Sequence, residues 1–270
     1  MTRTKDVIRA IEEFAPFAWS CEWDNPGLQA GSPEWEVKGV AVSLDATEQA
    51  LSEAIKQKCS CLVVHHPMVF DPLRSIQTQT VPGGKILKAL DHRISVIAAH
   101  TNWDVSPCGV NALLGEKLGL AGPVPLEDGP EGSWGIGLCG DLKAGIPEKD
   151  LGDFLCDSWK LSWVRSYNLP KSPSRIALVG GSGGEMWPLA LSKGADVFIT
   201  ADMKYHQLVD AVESGLGVVV VDHGEMERLS IPVLRKMLEG FLPVKVIEVD
   251  KRGFDPGEIT KSTGQRGERV

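Results

Sequence analysis

Short runs of Val, Ile, Leu and other apolar residues, each ending near a polar or histidine-bearing turn, constrain this chain more than any other feature. They fall at residues 37–45, 61–66 and 94–100, and again at 175–179, 196–200, 218–222 and 244–250. Helix-patterned stretches separate them, at residues 47–58, 84–90, 110–117, 185–193, 205–213 and 225–238. Near-continuous apolar runs are strands buried on both faces, and their alternation with helices predicts an α/β fold. The expected architecture is two similar α/β lobes, with mixed sheets flanked by helices. Residues 39–66 and 174–206 each run strand, helix, strand and then a histidine-bearing turn, and each is followed by a helix, a strand and a second such turn. The expected division is a first lobe at 1–125 together with the C-terminal segment, a second at 126–250, and a polar tail at 251–270. The Gly- and Pro-rich middle carries strands at 134–142 and 163–167 and a helix at 149–159.

The histidines sharpen this picture. There are 6: His65, His66, His92, His100, His206 and His223. His65, His66, His100 and His223 stand at or just past the C-terminal end of an expected strand, and His206 lies a few residues past another. Ligand sites of α/β folds gather there. His65 and His66 are adjacent, so on extended chain they point to opposite sides. Pro67 holds them out of helix. Asp104 follows His100 by four residues, and Glu227 follows His223 by four. Such pairs share one side of a helical turn. Each also has an ordinary reading: a satisfied core histidine, a helix cap at Asp104 or a helix-start ion pair at Glu227. Glu225 is a competing ligand. Together these residues offer imidazoles and carboxylates, a set suited to Zn, Mn, Fe or Co rather than to a Cys-rich structural zinc site. Five such ligands fit two metals better than one. Two-metal sites activate water and stabilise a developing oxyanion.

Two further stretches lie near this site if the lobes face each other. The turn Gly180-Gly181-Ser182-Gly183-Gly184 reads either as an anion cradle of backbone amides or as a simple tight turn. In Ala201–His206, Asp202 reads as a helix cap, while Lys204 and His206 are placed to meet a phosphate or move protons. For proton transfer the candidates are His100, His206 and Glu225, with Asp24 close by.

Charge and cysteine content exclude several classes. Lys+Arg is 28 against Asp+Glu 36, a net charge of −8. With no basic run, this argues against nucleic-acid binding. No stretch is apolar enough for a membrane helix, and the N-terminal segment reads as an amphipathic helix rather than a signal peptide. The expected location is the cytoplasm. The 6 cysteines form no CxxC pair, and Cys59 and Cys61, two apart, are expected to share a strand face as reduced thiols.

The segment Trp23-Asp24-Asn25-Pro26-Gly27-Leu28, the His65-His66-Pro67 pair, His100–Asp104, the glycine turn, residues 196–206 and His223–Glu227 occur in the order of a known family. The chain resembles the Nif-three-like proteins, also called YbgI-like proteins or GTP cyclohydrolase I type 2 homologues, from about residue 4 to 250. The resemblance implies two lobes around a dinuclear metal site held by His65, His66, Asp104, His223 and Glu227. It implies toroidal homohexamers, and it implies that the domain longer members insert between the lobes is missing here. Asp222, Glu225, Met226 and Ala201 depart from the family's commoner residues without removing a ligand. The implied activity is metal-dependent hydrolysis of a nucleotide-like or heterocyclic small molecule, with GTP as the namesake substrate. Non-catalytic metal storage or delivery, and an interaction scaffold, are the alternatives.

Overall fold

The computed structural model describes residues 1–129, 135–142 and 151–249. The expected tail at 251–270, residue 250 and the first residues of the strand at 134 and the helix at 149 lie outside these.

In chain order the elements are α1 (Thr4–Glu12), β1 (Gly27–Ala30), β2 (Gly39–Ser43), α2 (Glu48–Lys56), β3 (Cys61–Val64), α3 (Val81–Asp91), β4 (Ser95–Ala98), α4 (Thr101–Val105) and α5 (Val110–Leu118). Then come β5 (Leu120–Val124), β6 (Glu127–Asp128), β7 (Gly135–Ile136), β8 (Leu138–Leu142), α6 (Leu151–Trp159), β9 (Val164–Tyr167), β10 (Arg175–Ser182), α7 (Trp187–Ser192) and β11 (Val197–Ala201). The last are α8 (Tyr205–Glu213), β12 (Gly217–Val221), α9 (His223–Arg228), α10 (Ile231–Phe241) and β13 (Lys245–Glu248).

The strands form two mixed sheets and a small hairpin, β6–β7. The first sheet runs β1-β4-β3-β2-β13, with every pair parallel except β1 on β4. The second runs β5-β8-β10-β11-β12-β9, with β10, β11 and β12 parallel and the other pairs antiparallel. The expected mixed α/β architecture is therefore present. The C-terminal strand β13 pairs with β2 of the first sheet. β5 bonds into the second sheet, so the sheets part company before residue 125.

Alternation along each strand sorts the core. Val40, Val42, Cys61 and Val63 share one large cluster with Ile176, Leu178, Ile199 and Val219. That central cluster also takes in Val7 and Ile11 of α1, Leu114 of α5, Leu155 and Trp159 of α6 and Leu234 of α10. The two sheets thus face one helical layer. Their opposite faces bury separate clusters: Ala41, Leu62 and Val64 under Leu51 and Ile86 of α2 and α3, and Ala177, Phe198 and Val218 under Ala190 and Ala211 of α7 and α8. A period of two on a buried sheet requires this division.

Some local expectations change. The helix at 225–238 is two helices, α9 and α10, with Pro232 in the first turn of the second, where its missing N–H costs nothing. The strand at 134–142 is β7 and β8, with Gly137 at φ +64 between them. Cys59 lies in the outer cluster and Cys61 in the central one, because Cys59 precedes β3 in a turn whose Lys58 has φ 59. All six cysteines are free, and burial holds the Cys61 thiol far above its ordinary value. Among the described residues no helix is long and apolar enough to cross a membrane.

Candidate metal centre

Register brings the histidines together. Ser43 pairs with Val64 and Val64 with Ala98, so the ends of β2, β3 and β4 are level. His65 then donates its backbone N–H to Ser43 and Leu44, and His66 to Leu44. In the second sheet Thr200 of β11 is level with Val220 of β12, and α9 begins at His223, one residue past Asp222. Asp222 caps that helix by accepting from the Glu225 N–H at 2.9 Å. His100 is followed at once by α4, which carries Asp104.

Each imidazole is fixed through Nδ1. His65 donates to the Ala99 carbonyl at 2.9 Å, His66 to Asp45 at 2.8 Å, His100 to Asp24 at 2.7 Å and His223 to Asp202 at 2.6 Å. This turns the Nε2 atoms of His65, His66 and His100 toward one another and those of His66 and His223 toward Glu227; outer groups set the tautomer of metal-binding histidines in this way. Ring centroids are 4.9 Å apart for His65–His66, 5.2 Å for His65–His100 and 5.3 Å for His66–His223. Oε2 of the buried Glu227 lies 2.8 Å from His66 Nε2, 3.1 Å from His223 Nε2 and 3.7 Å from His65 Nε2. Ligand atoms lie within 4.8 Å of one another in three overlapping groups: His65, His66 and His100; His66, His223 and Glu227; His65, Asp104 and Glu227.

Burial and charge are shared unevenly across the cluster. His65 Nε2 and Asp104 Oδ1 are buried, lack hydrogen-bond partners, and face each other at 3.5 Å. Burial pushes the His65 imidazole below its ordinary value, so the ring is neutral with its Nε2 lone pair unshared. Burial, then the charge of Glu227, lifts the Asp104 carboxyl well above the carboxylate range. Burial opposes ionisation of Glu227 too, but the surrounding imidazoles hold it well below that range. Against burial, Asp45 and Glu227 push His66 up to about 10, and Glu227 and Asp202 push His223 up to about 9. Two buried polar atoms left without hydrogen-bond partners are costly alone. A divalent metal accepting both would remove that cost, and the donor set of imidazoles and carboxylates suits one.

The glycine turn serves this site through space. Gly181 has φ +70, and a Cβ there would stand 2.3 Å from Glu227 Oε1 and 3.2 Å from His223 Nε2. The Gly180 amide donates to Asn111 and the Gly183 amide to Thr200, so neither is free for the anion the sequence suggested. Asp202, at φ 48, is a positioning residue for His223; α8 starts after Lys204, so Asp202 is not its cap. Strain at such a position is tolerated where surroundings over-determine it.

Other candidates lie apart or take other roles. His206 is exposed at the start of α8 and meets the Tyr205 ring edge-on. Glu225 turns its carboxylate to Ser162, accepting from its N–H at 2.7 Å and its hydroxyl at 2.9 Å. His92 is an exposed helix cap. His100, a proton-transfer candidate on sequence, stands inside the ligand cluster. Asp24 also accepts from the Thr101 N–H and hydroxyl, and burial notwithstanding, these bonds hold it below its ordinary value. Beside His100 stand two exposed aromatics, Trp23 (64% exposed) and Phe70 (50%), with each ring centroid 6.3 Å from that of His100. Sequence reasoning did not find Asp45 as the partner of His66 or Phe70 as the neighbour of Trp23. Only strand register and loop packing, fixed by Asn25 donating to the Val69 carbonyl, bring them in.

Known proteins are similar to this chain along most of its length. A GTP cyclohydrolase 1 type 2 homolog of Clostridium acetobutylicum is 32% identical over 243 residues, 89% of this chain and 91% of its own length. A protein of the same name from Lactococcus lactis is 32% identical over 256 residues, covering 93% and 97%. The crystal structure of a Bacillus cereus protein related to NIF3 superposes with a TM-score of 0.89 at 23% identity, covering 96% of this chain and 99% of that one. The family profile Duf34/NIF3 (NGG1p interacting factor 3) matches residues 2–252, and the chain belongs to that family.

Proposed function

We propose that the chain binds two divalent metal ions through His65, His66, Asp104, His223 and Glu227, and hydrolyses a nucleotide-like or heterocyclic small molecule. The observation that carries the metal reading is the pair of buried, unpartnered ligand atoms, His65 Nε2 and Asp104 Oδ1, 3.5 Å apart. Zn, Mn, Fe or Co ions bound there would supply Lewis acidity toward water and toward a substrate oxygen. Glu227, within reach of three imidazoles, is the carboxylate suited to bridging. His100, its Nδ1 held by Asp24 and its Nε2 facing the cluster, is the group to hold or pass a proton. The exposed faces of Trp23 and Phe70 beside it suit a planar ring. The name shared by the relatives directs the first substrate to GTP. A cytoplasmic homohexamer, as the family resemblance implies, belongs to the same proposal.

Elemental mass spectrometry on tag-free protein purified without chelator tests the first part. About two metals per chain, lost in a His65→Ala/Glu227→Ala variant, is the expected result. The metal found then loads the enzyme for a hydrolysis panel led by GTP. No metal bound or taken up would remove the reading. Metal bound with turnover no better than that of Glu227→Ala across the panel would favour storage or delivery.

A further inference from the structure

A pocket of about 510 Å³ opens beside the candidate metal centre. His66 and His223, two rings of the cluster, form part of its wall. Asp45 and Thr47 before α2, Pro67 and Met68, Lys85 of α3, and Asp222, Gly224 and Arg228 around α9 complete it. Its two carboxylates are already engaged. Asp45 accepts from His66, and Asp222 caps α9. Its two permanent cations are not. Among the described residues, neither Lys85 nor Arg228 closes an ion pair, whereas Lys88 on the same helix as Lys85 pairs with Glu48. Both side chains are half-buried. Partial burial also holds the Lys85 ammonium below its ordinary value, despite the nearby charges of Asp45 and Glu48.

A half-buried cation that closes no ion pair recovers only part of its lost solvation from charges at a distance, here Asp45 for Arg228 and Asp45 and Glu48 for Lys85. Two of them on one cavity wall call for an anion from outside. A guanidinium presents a planar fork of donors and an ammonium a compact charge, and together they match the oxygens of a phosphate. The cavity is large enough for a phosphoryl group with part of its ester. Because His66 and His223 belong to both cavity and cluster, an occupant lies against the rings that would hold metal.

We propose that this pocket is a phosphate subsite, in which Lys85 and Arg228 bind the phosphoryl group of a phosphorylated small molecule whose reacting part lies at the metal centre. As a substrate subsite this rests on the hydrolase reading above. As a binding site it stands on the pocket alone, and the experiment separates the two.

Inorganic phosphate is titrated calorimetrically into metal-loaded and chelator-stripped protein. The variants are Lys85→Gln, Lys85→Gln/Arg228→Gln and the control Arg235→Gln, whose residue pairs with Glu239 on α10. Lys85 is remote from the proposed ligands in sequence, and among the described residues its side chain makes no hydrogen bond that replacement would break, so Lys85→Gln keeps wild-type metal content and melting temperature. The expected result is phosphate binding by wild type in both forms, weakened about tenfold in Lys85→Gln and further in the double variant, with Arg235→Gln unchanged. Lys85-dependent phosphate binding by a protein that never takes up metal would keep the subsite and remove the metal reading. Wild-type affinity in Lys85→Gln, binding only when metal is loaded, or no binding by wild type in either form would each overturn the proposal.

Discussion

Gly181→Ala tests whether the glycine turn exists to admit Glu227. At φ +70 an alanine carries a left-handed strain of about 1–2 kcal/mol, offset by about 0.4–1 kcal/mol from the stiffer unfolded chain. The net loss lowers the melting temperature by about 2–4 °C in a chain this size. Gly119→Ala provides the reference. Gly119 has φ +72 and nothing within 4 Å of where its methyl would stand, so it carries the strain without a contact. At Gly181 the new methyl stands 2.3 Å from Glu227 Oε1, where real contacts stay beyond 3.0 Å. The carboxylate must retreat by about 0.7 Å, more than the roughly 0.5 Å a positioned site tolerates. Because the obstacle is the tip of a side chain, the retreat adds little to the loss of fold stability. It falls on the metal instead, and the affinity drops by about tenfold to a hundredfold. Thermal unfolding in chelator measures the first quantity for both variants, and competition with a metal indicator measures the second. The two variants melt alike and only Gly181→Ala loses affinity. Wild-type metal affinity in Gly181→Ala, or an equal loss in Gly119→Ala, would refute the reasoning.

Glu225→Ala leaves metal content unchanged in elemental analysis and lowers stability by about 1 kcal/mol, the worth of its two bonds to Ser162 at a partly exposed site. Thr200→Val strips the Gly183 amide of its acceptor and the Gly181 carbonyl of its donor, both at 3.0 Å and buried. It costs about 1–3 kcal/mol in urea unfolding and weakens metal binding by the Gly181 route. Asp196→Asn costs about 1–2 kcal/mol, because Asp196 accepts from the Ser174 N–H and hydroxyl and the Arg175 N–H. Burial opposes its charge, yet those bonds set the folded value below the unfolded one. Its contribution is therefore complete above the carboxylate range and lost as pH falls through the folded value. Unfolding curves of wild type and Asp196→Asn converge under acid, and a gap that widens there would count against this account.

The strand ends were legible in sequence because buried strands leave no choice of residue. Val40–Val42 and Val218–Val221 have to be apolar on both faces, so a histidine just beyond them stands out. His65, His66, Asp104, His223 and Glu227 could be named on that ground together with the family resemblance. Their supports could not. Asp45 and Asp202 each sit 21 residues before the imidazole they orient, and Asp24 sits 76 residues before His100. Those pairings depend on which strands are neighbours. In sequence Glu225 reads as a competing ligand and His206 as a group placed to meet a phosphate or move a proton. Position on a helix says which side a residue takes, and not that Ser162 waits on that side.

The topology builds one device twice. β2, β3 and β4 are parallel neighbours in one sheet, as are β10, β11 and β12 in the other. In each, the third strand leads into a short helix with an imidazole at its start and a carboxylate four residues on: His100 and Asp104, His223 and Glu227. Each of these imidazoles has its Nδ1 held by an aspartate from a neighbouring loop. The charges are nevertheless unequal. Glu227 gathers imidazole charge and is held ionised, while Asp104 has no cation in contact and is held toward its neutral form. The symmetry of the chain thus delivers two carboxylates to one place, and the His65-His66 pair, which only the first sheet carries, is spent mainly on one of them. A cation entering between Asp104 and His65 would restore the balance, and its affinity there would fall as pH drops and the Asp104 carboxyl keeps its proton.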